Sequence, residues 1–127
     1  MRQDSSSVVG CYDVLLSDWT DPDNVLENEN LGQFGPMIRL TEEEVWRPFE
    51  QQYFKKALIQ GSKIPDDRTV TWRLDDSRLT ITTGGFSWYA AYLEPTSAGY
   101  SGILRLHLDY ASKEPWAEIE LRRTPCA

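Results

Sequence analysis

The sequence predicts a mainly β domain, an antiparallel up-and-down meander barrel of about eight strands with one short helix. Three observations carry this. From Arg68 onward, short runs alternate between apolar and polar residues, and a period of two marks strands with one dry and one wet face. The connections between these runs are tight turns, so consecutive strands pair antiparallel as a meander. A meander has two exposed edges, and the commonest remedy is closure into a barrel.

The elements follow in order. Val8 to Trp19 alternates, with Tyr12, Val14 and Leu16 on one face. Thr20 to Pro36 is rich in Asp, Asn, Gly and Pro and reads as a loop. Loops of that length in compact domains tend to be functional. Met37 to Leu40 is a short strand. Thr41 and Glu44 then have capping-box spacing, and Pro48 suits a first helical position. Phe49, Tyr53, Phe54, Ala57 and Leu58 share a helical face, so a helix is predicted over Phe49 to Gln60, capped by Gly61.

The β pattern then takes over. Val70, Trp72 and Leu74 align, Asp75 to Ser77 turn the chain, and Leu79, Ile81 and Thr83 align in the next run. Gly84 and Gly85 break the strand. Phe86, Trp88, Ala90 and Tyr92 are assigned to one inward face. Leu104, Leu106, Leu108 and Tyr110 follow on another, opposite Arg105, His107 and Asp109. Ala117, Ile119 and Leu121 complete the pattern against Glu118, Glu120 and Arg122.

Closure makes the first and last strands neighbours. The two cysteines, Cys11 and Cys126, lie in the first strand and just beyond the last. A closed barrel brings them toward the Cα separation of roughly 4.4–6.8 Å that a disulfide requires. A bond there would staple the seam, with a loop-entropy contribution on the order of 4 kcal/mol. It would also imply an oxidising compartment. The alternative is two unrelated buried thiols.

The chain has 127 residues, which is one domain, assigned to residues 8–127 behind a disordered polar tail at residues 1–7. A hydrophobic content of 40% argues against general disorder. A net charge of −7 argues against nucleic acid and anionic membrane surfaces as partners. No apolar run approaches the roughly 20 residues of a membrane helix. The start MRQDSSS has no apolar core of a signal peptide. An initiator Met on a signal-stripped chain reads this way, and the expectation is an exported protein, periplasmic or extracellular.

Gly10, Cys11 and Tyr12, followed by a long first loop and a run of hairpins, resemble the lipocalin-like (calycin) group, whose first strand begins Gly-x-Trp. The chain is also similar to short exported bacterial proteins of unknown function that begin GCY and end PC. The first resemblance implies a barrel that holds a small apolar molecule in its lumen. In a few relatives the barrel cyclises or isomerises that molecule.

On this reading the ligand-binding residues are Tyr12, Val14, Leu16, Leu40, Trp72, Phe86, Trp88, Tyr92, Leu106, Leu108, Tyr110 and Ile119. Small-molecule pockets are mainly apolar and aromatic, with a few orienting polar groups, and the tyrosine hydroxyls would orient the ligand. The loop from Thr20 to Pro36 would act as lid. The leading expectation is a non-catalytic carrier or sensor of a small hydrophobic molecule. The second is a barrel cyclase or isomerase using lumenal tyrosines or the rim carboxylate of Glu94. The third is a protein-interaction module with a filled core, presenting Trp46 and Trp116. A filled barrel with an exposed aromatic patch is the feature that favours the third.

No catalytic residue, metal ligand or cofactor is assigned. His107, between Arg105 and Asp109 on one strand face, has the composition of an acid–base set, but alternation puts it on the wet side. Asp18, Asp21, Asp23, Glu27 and Glu29 offer oxygens without a calcium-loop spacing. Zinc needs more Cys or His than are present.

Overall fold

The computed structural model describes residues 7–21, 24, 35–48, 50–60, 70–83, 87–108 and 113–126. Eight strands form the domain: β1 Gly10–Leu16, β2 Met37–Arg47, β3 Gln52–Gln60, β4 Val70–Asp75, β5 Arg78–Thr83, β6 Ser87–Pro95, β7 Gly99–Leu108 and β8 Trp116–Thr124. They close into one barrel in sequence order, every neighbouring pair antiparallel. This is the architecture of a small calycin-like barrel. The closing ladder joins β1 to β8 from Cys11 opposite Thr124 to Leu16 opposite Ile119.

The seam is also covalent. Cys11 and Cys126 are disulfide-bonded, with their Cα atoms 5.3 Å apart. Beside it, Arg123 places its guanidinium 5.3 Å from the centre of the Tyr12 ring. Its Nη2 donates to the Tyr12 hydroxyl at 2.8 Å and to the carbonyl of Ser7. The Tyr12 hydroxyl in turn donates to the Val8 carbonyl at 2.6 Å. The predicted tail therefore ends in a fastened residue at Ser7; residues 1–6 lie outside the described ones.

The alternation is apolar-in and polar-out, the reverse of a membrane-spanning barrel. Ile38, Leu40, Trp72, Leu79, Ile81, Leu93, Leu104, Leu106, Ile119 and Leu121 fill the interior. On the outside stand Asp13, Arg39, Arg73, Arg105 and Glu118. Among the described residues no helix is long and apolar enough to cross a membrane.

The turns obey local chemistry. Asp76 and Ser77 connect β4 to β5 with φ of 47° and 73°. Two central residues with positive φ make the type I′ turn that suits a two-residue hairpin. At Gly102, in β7, a Cβ would lie 1.8 Å from the carbonyl oxygen of Tyr92. Only glycine lets β6 and β7 approach this closely.

The predicted helix over Phe49 to Gln60 is replaced by β3. Phe49 itself lies outside the described residues. In Gln52–Gln60 the residues fit both periods, because Tyr53, Lys55, Ala57 and Ile59 also alternate against Phe54, Lys56 and Leu58. Tertiary context decides between them. Ile38 and Leu40 of β2 find cross-strand partners in Ile59 and Ala57, whereas a helix would leave β2 and β4 with open edges.

A second correction concerns β6. Its inward residues are Tyr89, Ala91 and Leu93, which are buried, whereas Tyr92 is 46% exposed. The assigned face is thus inverted. Both faces of SWYAAYL are apolar, so the pattern within the segment is ambiguous. The neighbours fix it: Ala91 lies between Ile81 of β5 and Leu104 of β7, and Leu93 between Leu79 and Gly102. A one-residue slip would turn every side chain of β6 over.

Candidate functional site

The interior comes first, because the lumenal reading depends on it. Tyr12, Leu40, Trp72, Leu106 and Ile119 are buried in the core as predicted positions, and the half-buried Val14 and Leu16 pack against it. Trp88 and Tyr92 face outward. Phe86 and Tyr110 lie outside the described residues, as does the side chain of Leu108 and most of the predicted lid. Among the described residues, the buried side chains of the core cluster are 0–7% exposed. A chamber large enough for a ligand would leave its lining atoms against empty space. These atoms have other side chains against them instead, as in a packed core.

Among the described residues the acid–base candidates do not converge. The Tyr12 hydroxyl is engaged by Val8 and Arg123. Glu94 sits at the surface in an ion pair with Arg78 at 2.8 Å. His107 points outside, stacked on Trp88 with ring centres 5.0 Å apart. Its Nδ1 lies 2.9 Å from Glu114 Oε2. The carboxylate that orients this histidine is therefore Glu114; Asp109 lies outside the described residues. Among the described residues no group of three or more His, Cys, Asp or Glu is placed to hold a metal ion.

The surface is more informative at the hairpin of β2 and β3. Three residues of β2, Thr41–Glu43, oppose the single Lys56, between the pairs Leu40–Ala57 and Glu44–Lys55. Bulges of this kind bend a strand and re-aim its side chains. The bulge is fastened twice. The Thr41 hydroxyl donates to the Lys56 carbonyl at 2.9 Å, and the indole Nε1 of Trp72 donates to the Thr41 carbonyl at 2.8 Å.

Beyond the bulge the hairpin carries Trp46 directly opposite Tyr53, with ring centres 5.0 Å apart and planes tilted by 60°. Trp46 is 49% exposed and Tyr53 63%. Aromatic cross-strand pairs stabilise a hairpin, which accounts for their adjacency but leaves half of each ring in water. On the other face Arg47 donates from Nη1 to Thr71 Oγ1 at 2.9 Å and to Thr82 Oγ1 at 3.1 Å, and its guanidinium lies 5.1 Å from the Phe54 ring. The hairpin is thus anchored to β4 and β5.

Two clefts are bordered by described residues. A trough of about 520 Å³ runs over β1, β8 and β7, bordered by Leu15, Ile103, Glu118 and Glu120. Glu120 is paired with Arg122 at 3.0 Å. A cleft of about 210 Å³ lies between β3 and β4, bordered by Gln52, Tyr53, Phe54, Lys55, Trp72, Arg73 and Leu74. The second adjoins the aromatic pair.

The sequence reading names Trp46 as exposed and misses its partner Tyr53, which it gives to a helix. The missed signal is charge. Glu42, Glu43 and Glu44 precede Trp46, and Lys55 and Lys56 follow Tyr53. Glu44 pairs opposite Lys55, and Glu43 comes within 4.0 Å of Lys56. Mirror-image charges around two aromatics are a hairpin pattern.

Comparison with protein-family models, with curated proteins and with solved structures finds no match to this chain.

Proposed function

We propose that this barrel is a filled-core protein-interaction module that recognises a partner polypeptide through the exposed β2–β3 hairpin, with Trp46 and Tyr53 as its anchors. One observation carries the reading: the interior is occupied by the chain's own side chains, while two adjacent large aromatics are held half in water on a hairpin fastened by Trp72 and Arg47. Contact energy at interfaces concentrates in such aromatic anchors. Pre-ordering them lowers the cost of association. The packed interior weighs against a lumenal carrier, and the dispersed acid–base groups against a barrel enzyme.

The setting that fits this module is exported, periplasmic or extracellular, since a structural disulfide persists in oxidising compartments. Kinship with lipocalin-like proteins, and with exported bacterial proteins that begin GCY and end PC, belongs to the same proposal. It is supported by the barrel and by the two sequence ends.

Selection of a random-peptide display library on the oxidised protein tests the module. Enriched peptides should lose at least about ten-fold in affinity on Trp46→Ala, equivalent to about 1.4 kcal/mol. No enrichment, or binding indifferent to both Trp46 and Tyr53, overturns the reading. A small molecule retained through native mass spectrometry of protein from its host would restore the carrier.

A further inference from the structure

We infer that Trp46, Tyr53 and Glu44 form a binding site for a guanidinium group, so that the partner polypeptide is held by an arginine laid against the aromatic pair. This names the chemistry of the partner's contact and rests on the module reading.

The placement comes from the register of the hairpin. Past the bulge the ladder of β2 and β3 runs without a break. Glu44 lies opposite Lys55, Val45 opposite Phe54 and Trp46 opposite Tyr53. Side chains alternate along a strand, so Glu44 shares the face of Trp46 and Tyr53 and lies about 7 Å from Trp46 at strand rise. Glu44, Trp46 and Tyr53 are all exposed. The two rings are tilted by 60°, so neither hides the other's face as a parallel stack would.

A ring face is the negative pole of its quadrupole and attracts a cation placed over it. The carboxylate beside the rings has the same preference. The hairpin's own cations are engaged elsewhere. Arg47 donates to Thr71 and Thr82 and lies 3.4 Å from Glu50. Lys56, on the opposite face, comes within 4.0 Å of Glu43. Lys55, the register partner of Glu44, holds its ammonium 5.6 Å from the centre of the Trp72 ring. Among the described residues no ion pair takes Glu44, and no cation lies over the Trp46 or Tyr53 ring.

Arginine fits this constellation better than lysine. Its planar guanidinium stacks on a ring face and offers a fork of N–H donors to a neighbouring carboxylate, whereas an ammonium is a compact, strongly hydrated charge. The net charge of −7 on the whole chain adds a general attraction for a basic partner.

The test uses the peptides enriched by the display selection, which should share an arginine. Citrulline in its place keeps the shape and removes the charge. It should lower affinity about ten-fold, the combined loss of an exposed cation–π contact and an exposed ion pair. Glu44→Gln should lower the affinity of the arginine peptide about two- to five-fold and leave that of the citrulline peptide unchanged. Glu118→Gln, on β8, controls for net charge and should change neither. In the nuclear magnetic resonance spectrum of the complex, the arginine side-chain methylene protons should move upfield under the ring current of the indole. Peptides that need Trp46 but no arginine, or arginine peptides that respond to Glu44→Gln no more than to Glu118→Gln, overturn the guanidinium site and leave the module standing. Failure to enrich any peptide overturns both.

Discussion

The indole Nε1 of Trp72 donates to the carbonyl oxygen of Thr41, 2.8 Å away, joining a core residue of β4 to the bulge of β2 across β3. One large side chain thereby does two things. It fills the interior, and it satisfies a carbonyl that the bulge has taken out of its ladder. Trp72→Phe keeps most of the ring and removes the donor. Losing a partly buried partner in this way costs about 1–3 kcal/mol, so urea unfolding should show a lower midpoint and a free energy of unfolding reduced by that amount. An unchanged midpoint would mean that the bond contributes nothing net.

The disulfide closes a loop across nearly the whole barrel, with a sequence separation of 115. Loop entropy puts its contribution on the order of 4–5 kcal/mol. The double variant Cys11→Ser with Cys126→Ser should unfold at markedly lower denaturant than the oxidised wild type, and at the same concentration as the reduced wild type. A variant as stable as the oxidised protein would show that the β1–β8 ladder suffices alone.

The inversion of β6 makes a paired prediction. Leu93→Ala removes a fully buried side chain and should cost about 2–5 kcal/mol. Tyr92→Ser, one residue away on the outer face, should stay near the small effects typical of surface changes, about 0.5 kcal/mol. Equal losses at both positions would contradict the observed register.

Gly102→Ala forces a methyl group against the Tyr92 carbonyl, where only 1.8 Å is available. The backbone of β6 or β7 must shift, and overpacking of this kind costs about 1–3 kcal/mol. Thermal unfolding followed by far-ultraviolet circular dichroism reads the loss directly. A neutral substitution would mean that the two strands are less closely apposed.

Trp46→Ala and Tyr53→Ala separate folding from recognition. Both side chains are about half exposed or more, so each change should leave the unfolding midpoint close to wild type. Peptide affinity should nevertheless fall at least about ten-fold. Parallel losses of stability and binding would mark the pair as structural.

Much of the barrel was legible because its strands announce themselves twice, by alternation and by turns. Asp76 and Ser77 fall where a two-residue hairpin needs them, and Val70, Trp72 and Leu74 face inward as the pattern requires. Where the pattern spoke with two voices, the answer came from neighbours. In Gln52–Gln60 the apolar residues satisfy a helix and a strand alike, and β2 supplied the partners that settled it. In β6 aromatics occupy both faces, and the leucines of β5 and β7 chose between them. The cleft between β3 and β4 was not legible at all. It lies between β3 and β4, and the pattern gives the first of these to a helix.

The bond between Cys11 and Cys126 has a mechanical meaning as well. It makes the barrel a covalent ring, tied where the chain enters and leaves. A force applied at the two chain ends is carried across that single link and bypasses the strands. Such a protein can be held under tension at both ends while its hairpin stays folded and presented, until a reductant cuts the link and the load falls on the hydrogen bonds between β1 and β8.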